Sequence, residues 1–208
     1  DTNSDDYGYA YAYGIVVDIE DMDINDNNVP KIINTGTITA NTIVSASVTR
    51  GDIESTGTTT LVNEGTITLT GNWINNAGSG LFNNSKGTIL LDGNIQHITG
   101  AFPTTFYHLQ LQNGTKVMNI DMSTGGSTSP YNGILNLKNA ILSLKSNTLS
   151  VFNPAIGGIQ RTTGYILSEE TSNSAKVWWV NVGAGIHTIP FGNSAGEDIS
   201  FGFTTSPP

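Results

Sequence analysis

The sequence predicts an all-β chain whose body is a β-solenoid of the parallel β-helix kind, preceded by an extended N-terminal strand arm. The alternative is an antiparallel β-sandwich. Three observations predict this class. Apolar residues recur at spacings of two and are interrupted by Gly, Asn or Thr before a helical face can develop. Short β-prone runs are punctuated by turn-forming residues, at Gly36 to Thr39, Thr42 to Val48, Gly65 to Leu69, Gly87 to Leu91, Tyr107 to Leu111, Ile134 to Leu137 and Ile141 to Leu144. A Gly-Thr pair recurs at Gly36-Thr37, Gly65-Thr66, Gly87-Thr88 and Gly114-Thr115, with irregular gaps of 29, 22 and 27 residues. Such gaps suit one coil of a solenoid that stacks inward Ile, Leu and Val and leaves Thr and Asn outside. A sandwich would show the same Gly and Asn punctuation in its hairpins.

The chain divides into an acidic, Tyr-rich arm (1–30), a solenoid-like body (31–150) and a β-rich C-terminal continuation or cap (151–208). In the arm, Tyr7, Tyr9, Tyr11 and Tyr13 alternate with Gly8, Ala10 and Ala12, and the run continues through Ile15, Val17 and Ile19. As one strand it would place all four tyrosines on one face and leave the other nearly bare, open to another backbone. An unpaired strand this β-prone is an aggregation hazard, so it is expected to pair, on its own chain or on a neighbour. In the body, Ile38, Ile67 and Ile89 are the expected stacked core positions. In the C-terminal part, consecutive Trp178 and Trp179 must face opposite ways if Val177 to Val182 is a strand, so at least one is expected in the core.

Composition narrows the function classes. The 208 residues carry a net charge of -9, only 12% are charged, and Cys is absent. There is therefore no disulfide framework, thiolate nucleophile or Cys-ligated metal. Asp1, Asp5, Asp6, Asp18, Glu20, Asp21, Asp23 and Asp26 all precede Lys31, the first basic residue. An acidic arm on a body poor in Lys and Arg offers no cationic track for phosphates, so nucleic acid and anionic membranes are disfavoured partners. No run of about 18 apolar residues predicts a membrane span, and Asp1 is not preceded by a signal peptide, so a secreted form is expected to have lost its signal.

Each candidate chemistry has a plainer rival. From Asp18 to Asn28, carboxylates two or three residues apart, notably Asp18, Asp21, Asp23 and Asp26, could converge on Ca²⁺. The rival is a solvated acidic turn that keeps a sticky strand soluble. As an EF-hand the stretch fails, since Asp26 stands where Gly belongs and Ile32 where the bidentate Glu belongs. No other cofactor is expected. His97, His108 and His187 have no spacing that pairs two imidazoles, although His97 and His108 are expected on neighbouring coils. Asp52 and Glu54 near Arg50, and Glu169 beside Glu170, lack the partners that polysaccharide cleavage requires, so no catalytic residue is assigned. Thr37, Thr39, Thr58 to Thr60, Thr66, Thr68 and Thr70 could order ice only if they aligned on successive coils, and the irregular gaps scatter them. Trp73, Trp178 and Trp179 could stack on sugars, with Trp178 or Trp179 also a subunit-contact candidate.

Two blocks carry a resemblance. The first runs from Asn63 to Gly114 and contains Gly71-Asn72-Trp73, the turn at Asn75-Asn76, the Gln96 to Gly100 run and the Thr104 to Leu109 run. The second runs from Thr163 to Gly192. In this order they resemble segments of large secreted cell-surface β-rich proteins of Bacteroidota. The resemblance implies export through the outer membrane, commonly by the type IX route, a β-helical body shown on the cell or released, and no catalytic residues. Such proteins usually end in a sorting domain that is not recognisable before Pro207-Pro208, so a processed chain or a fragment is expected.

The expectation for function is an extracellular structural protein, a filament subunit or surface adhesin that partners itself by donating the strand from Tyr7 to Ile19. A carbohydrate-binding adhesin that partners surface glycans is the alternative. A polysaccharide-degrading enzyme and an ice-binding protein rank below both.

Overall fold

The computed structural model describes residues 10–11, 14–15, 31–34, 38–40, 52–56, 61–63, 66–76, 86–126, 128–168, 174–192 and 199–204; up to residue 63 it is the backbone course that is described. The body is a β-solenoid. Its largest sheet, here sheet I, has seven parallel strands: Lys31–Asn34, Asp52–Thr56, Trp73–Asn76, Ile95–Gly100, Thr115–Met118, Ile141–Ser143 and Tyr165–Leu167. Sheet II has four, Thr104–Phe106, Met122–Thr124, Thr148–Val151 and Lys176–Trp179. Sheet III has five, Thr66–Leu69, Thr88–Leu91, His108–Leu111, Leu135–Asn136 and Ile159–Gln160. The chain visits sheets I, II and III in turn and returns to sheet I one strand further along. A parallel pair, Ile38–Ala40 with Leu61–Asn63, follows sheet I in the first coils.

Parallel ladders between successive coils exclude the antiparallel sandwich, which would join neighbours by hairpins. They arise because each strand alternates inward apolar and outward polar side chains and is too short to bury its inner face alone, so stacking supplies the core. Sheet III shows this directly: Ile67, Ile89, Leu109, Leu135 and Ile159 align in register as one buried column. Burying each such side chain stabilises by roughly 1.5–3 kcal/mol.

The expected stack is thus half right. Ile67 lies over Ile89, whereas Ile38 pairs with Leu61 in the separate two-stranded sheet. The Gly-Thr repeat divides in the same way. Thr66 pairs with Thr88, but Thr115 belongs to sheet I, between Ile95 and Ile141. Gly-Thr marks entry into a strand after a turn, and this chain uses that chemistry at more than one corner.

The corner from sheet III to sheet I is pinned on both sides. Inside, Gln96 is fully buried; its Nε2 donates to the carbonyls of Leu69 (3.1 Å) and Gly71, and its Oε1 accepts from Gly93 N at 2.7 Å. One coil later Lys116, also fully buried and in register with Gln96, donates from Nζ to the carbonyls of Gly93 and Asn113 (2.8 Å). Outside, Asn113 Nδ2 donates to Asp92 Oδ1 at 2.7 Å, and Asn139 Nδ2 donates to Asn113 Oδ1 at 3.2 Å. The two inward side chains thus satisfy backbone groups that the turn would otherwise bury unpaired, and the outer bonds are exposed.

The coils run past residue 150 to Trp179, and an antiparallel hairpin, Gly185–Ile189 with Ile199–Phe203, follows them. Pro190 O accepts from Ile166 N at 2.7 Å, and Gly192 N donates to Ile166 O at 3.1 Å, so the segment after the first hairpin strand continues sheet I. Inside this end, His187 is fully buried, its ring edge-on to Trp179 at 4.8 Å.

Candidate functional site

The arm forms a small hairpin of its own, in which Ala10 pairs with Ile15 and Tyr11 with Gly14. This corrects the single unbroken strand expected from Tyr7 to Ile19, because a strand through 10–15 cannot pair with itself. Among the described residues the hairpin joins no strand of the solenoid. Tyr7, Tyr9, Tyr13, Val17 and Ile19 lie outside the described residues, as do the Ca²⁺ candidates Asp18, Asp21, Asp23 and Asp26. Among the described residues no group of three or more His, Asp or Glu could hold a metal ion, and no helix is long and apolar enough to cross a membrane.

The tryptophans separate as strand alternation requires. Trp179 is turned inward, 9% exposed, and its Nε1 donates to Asn153 O at 2.7 Å. Trp73 is fully buried, donating from Nε1 to Thr104 Oγ1 at 3.0 Å, with its ring edge-on to Phe106 at 5.1 Å. Both are therefore withdrawn as sugar contacts. Trp178 is 62% exposed, and it ends an outward column of Thr105, Ser123 and Ser150 on sheet II.

The histidines serve three different local roles. His97 Nδ1 accepts from Asn119 Nδ2 at 3.1 Å, and His187 Nε2 donates to Gly183 O at 2.9 Å. His97 and His108 lie on different sheets of the same coil, which corrects their expected placement on neighbouring coils. His108 Nδ1 accepts from Ile134 N at 3.1 Å, so its proton sits on Nε2, and burial pushes its pKa below the ordinary value.

His108 also lines a groove on the surface. On the outer face of sheet III, Thr88, His108, Gln110, Ile134, Asn136 and Gln160 line an open groove of ≈ 200 Å³. Register places Gln110 beside Asn136 and Asn136 beside Gln160, so the three amides form a row along the solenoid axis, one strand apart at about 4.8 Å per step. Thr88 and His108 form the adjoining column. The sequence reading missed this row because coils of unequal length hide it, and register alone brings it together.

Thr66 and Thr88 align, but the next position in their column is His108, so the outward threonines form no continuous row. No protein-family model, curated protein or solved structure matches this chain.

Proposed function

We propose that this chain is an extracellular, cell-surface structural protein without catalytic activity, which assembles with copies of itself through β-strand contacts made by its N-terminal arm. The reading includes secretion of the kind seen in β-rich Bacteroidota surface proteins, and neither nucleic acid nor insertion into a membrane has a part in it. What carries it is a set of exposed apolar side chains in the C-terminal part, on more than one face: Ile156, Trp178, Ile186 and Ile199 are 55%, 62%, 66% and 54% exposed. Ile156 lies against Gly185. Exposed apolar side chains of this size are the kind that contacts between subunits bury. The arm offers a β-prone, Tyr-rich counterpart, and head-to-tail contacts of this type build open filaments unless the rotation closes a ring. Deleting residues 1–30 tests the reading by sizing and electron microscopy. Oligomers or filaments of the full chain that fall to monomers on truncation support it, and monomers in both forms refute it.

A carbohydrate-binding adhesin is the second reading, favoured by Trp178 standing exposed at the end of the Thr105, Ser123 and Ser150 column. It requires glycan binding that Trp178→Ala abolishes.

A further inference from the structure

We infer that the groove on the outer face of sheet III is a binding site for a neutral, hydroxyl-rich saccharide chain, held by the amide row of Gln110, Asn136 and Gln160. This goes beyond assembly through the arm and uses a different sheet from Trp178.

The argument rests on where hydrogen-bonding capacity is left over. Several amides elsewhere on these coils are spent on the fold. Asn72 Oδ1 accepts from His97 N, Asn76 Oδ1 accepts from Ala101 N, Asn113 and Asn139 bond one another, and Asn147 Nδ2 donates to the carbonyls of Met118 and Leu144. In the groove three amides that keep capacity stand in one register row. The side chains of Gln110 and Gln160 make no hydrogen bond with any described residue, and that of Asn136 spends only its Oδ1, on Lys138 N at 3.0 Å. His108 gives its Nδ1 to Ile134 N and keeps its Nε2–H as a donor. Leftover donors and acceptors of one row thus meet on a single open surface.

The chemistry of that surface selects the ligand class. Its lining carries no Asp, Glu, Lys or Arg, and burial disfavours the charged form of the His108 imidazole, so no cationic group there attracts phosphate or sulfate and no carboxylate serves a hard cation. Each amide both donates and accepts, as a sugar hydroxyl does. Ile134 gives an apolar patch for the C–H face of a ring. The row runs along the solenoid axis with a regular step, which fits a linear polymer whose repeats meet successive coils. An extended peptide is a poorer fit, because the backbone groups that would pair with it point along the sheet and are already bonded between coils.

The test is affinity electrophoresis of the full chain in gels containing single polysaccharides. The neutral probes are a β-glucan, a mannan, a xylan and a galactan, and the charged probes are alginate and heparin. At least one neutral polymer is expected to retard the protein. The double variant Gln110→Thr/Gln160→Ala, checked for unchanged circular dichroism, is expected to weaken that retardation at least tenfold, while Trp178→Ala leaves it unchanged. Gln160→Ala alone changes only an exposed side chain and is expected to give a smaller loss in the same direction. The inference is overturned if no neutral polymer retards the protein, if only charged polymers do, or if Trp178→Ala abolishes retardation while the groove variants keep it. The oligomeric state of the chain lacking residues 1–30 is scored separately, so loss of saccharide binding and loss of assembly are told apart.

Discussion

Replacing Lys116 by methionine isolates the energetics of a buried ammonium, because methionine keeps the unbranched shape and removes the charge. Lys116 is fully buried, and burial lowers its pKa from 10.5 to about 8, against a smaller raising effect from Asp92. The unfolded chain holds this proton up to the ordinary lysine value, whereas the folded chain releases it near pH 8. Between those limits the unfolded state binds more protons, so stability rises with pH through this window. The full interval corresponds to at most about 3 kcal/mol, and partial solvation of the amine brings the expectation to roughly 1–3 kcal/mol. Below pH 8 the charged amine still donates to Gly93 O and Asn113 O, so the variant exchanges those bonds for relief from desolvation. The assay is urea unfolding of wild type and Lys116→Met at pH 7.5, 9 and 10. Every other ionisable group is common to both proteins, and the difference cancels them. The wild type is expected to gain on the variant as pH rises. Parallel curves across this range would refute the account of a proton shed on folding.

Four further outcomes follow from the same structure. Gln96→Leu keeps volume but strips the side-chain partner of Gly71 O and Gly93 N and one of two donors to Leu69 O, and is expected to cost about 2–4 kcal/mol in denaturant unfolding. Gly100→Ala places a methyl group on the Asn75 carbonyl oxygen, at a φ of +129 that L-residues rarely adopt. It is expected to lower the melting temperature by more than a surface Gly→Ala change in the same chain. Thr124→Val removes a buried Oγ1 that has no hydrogen-bond partner and is expected to stabilise by about 1 kcal/mol, read as a higher urea midpoint. Since folding lowers the pKa of His108, the unfolded chain takes up that proton first, and stability is expected to fall as pH drops through 6.5. His108→Gln should flatten that acid limb in a melting series from pH 7.5 to 5.

The solenoid was legible because Ile67 and Ile89 sit in equivalent short strands, each led by Gly-Thr, and nothing in those segments supports a helical face. Its register was not. Leu109 and Leu135 share a column, yet the loop from Gly125 to Ile134 separates their strands, so no fixed period reveals the alignment. The interior of the sheet III to sheet I corner was hidden for another reason. In Ile95-Gln96-His97-Ile98 the two isoleucines have opposite parity, and hydrophobicity cannot say which points in. The structure buries Ile98 and Gln96 and leaves Ile95 66% exposed, because the inward amide satisfies Gly71 O and Gly93 N, which an isoleucine would leave without this partner. The opposed facing of Trp178 and Trp179 followed from alternation alone. Which of them faces in depended on Asn153, a residue of the preceding coil whose carbonyl receives the Trp179 indole.

The doubly pinned corner also governs how such a chain can grow longer or acquire new segments. Leu91 to Gln96, Leu111 to Lys116 and Leu137 to Leu142 cross it with the same number of residues, and a longer crossing would pull Gln96 or Lys116 away from its carbonyls. The opposite edge has no such constraint: Phe106 reaches His108 through Tyr107 alone, whereas Thr124 reaches Leu135 through a long excursion. From Leu91 onward one edge therefore behaves as a spine of fixed gauge, the crossing from Leu69 to Trp73 being three residues shorter than that from Leu91 to Ile98, and the other edge as a margin that accepts cargo. A peptide tag or a grafted epitope spliced near Thr128 to Tyr131 would extend sideways from the rod without altering its rise.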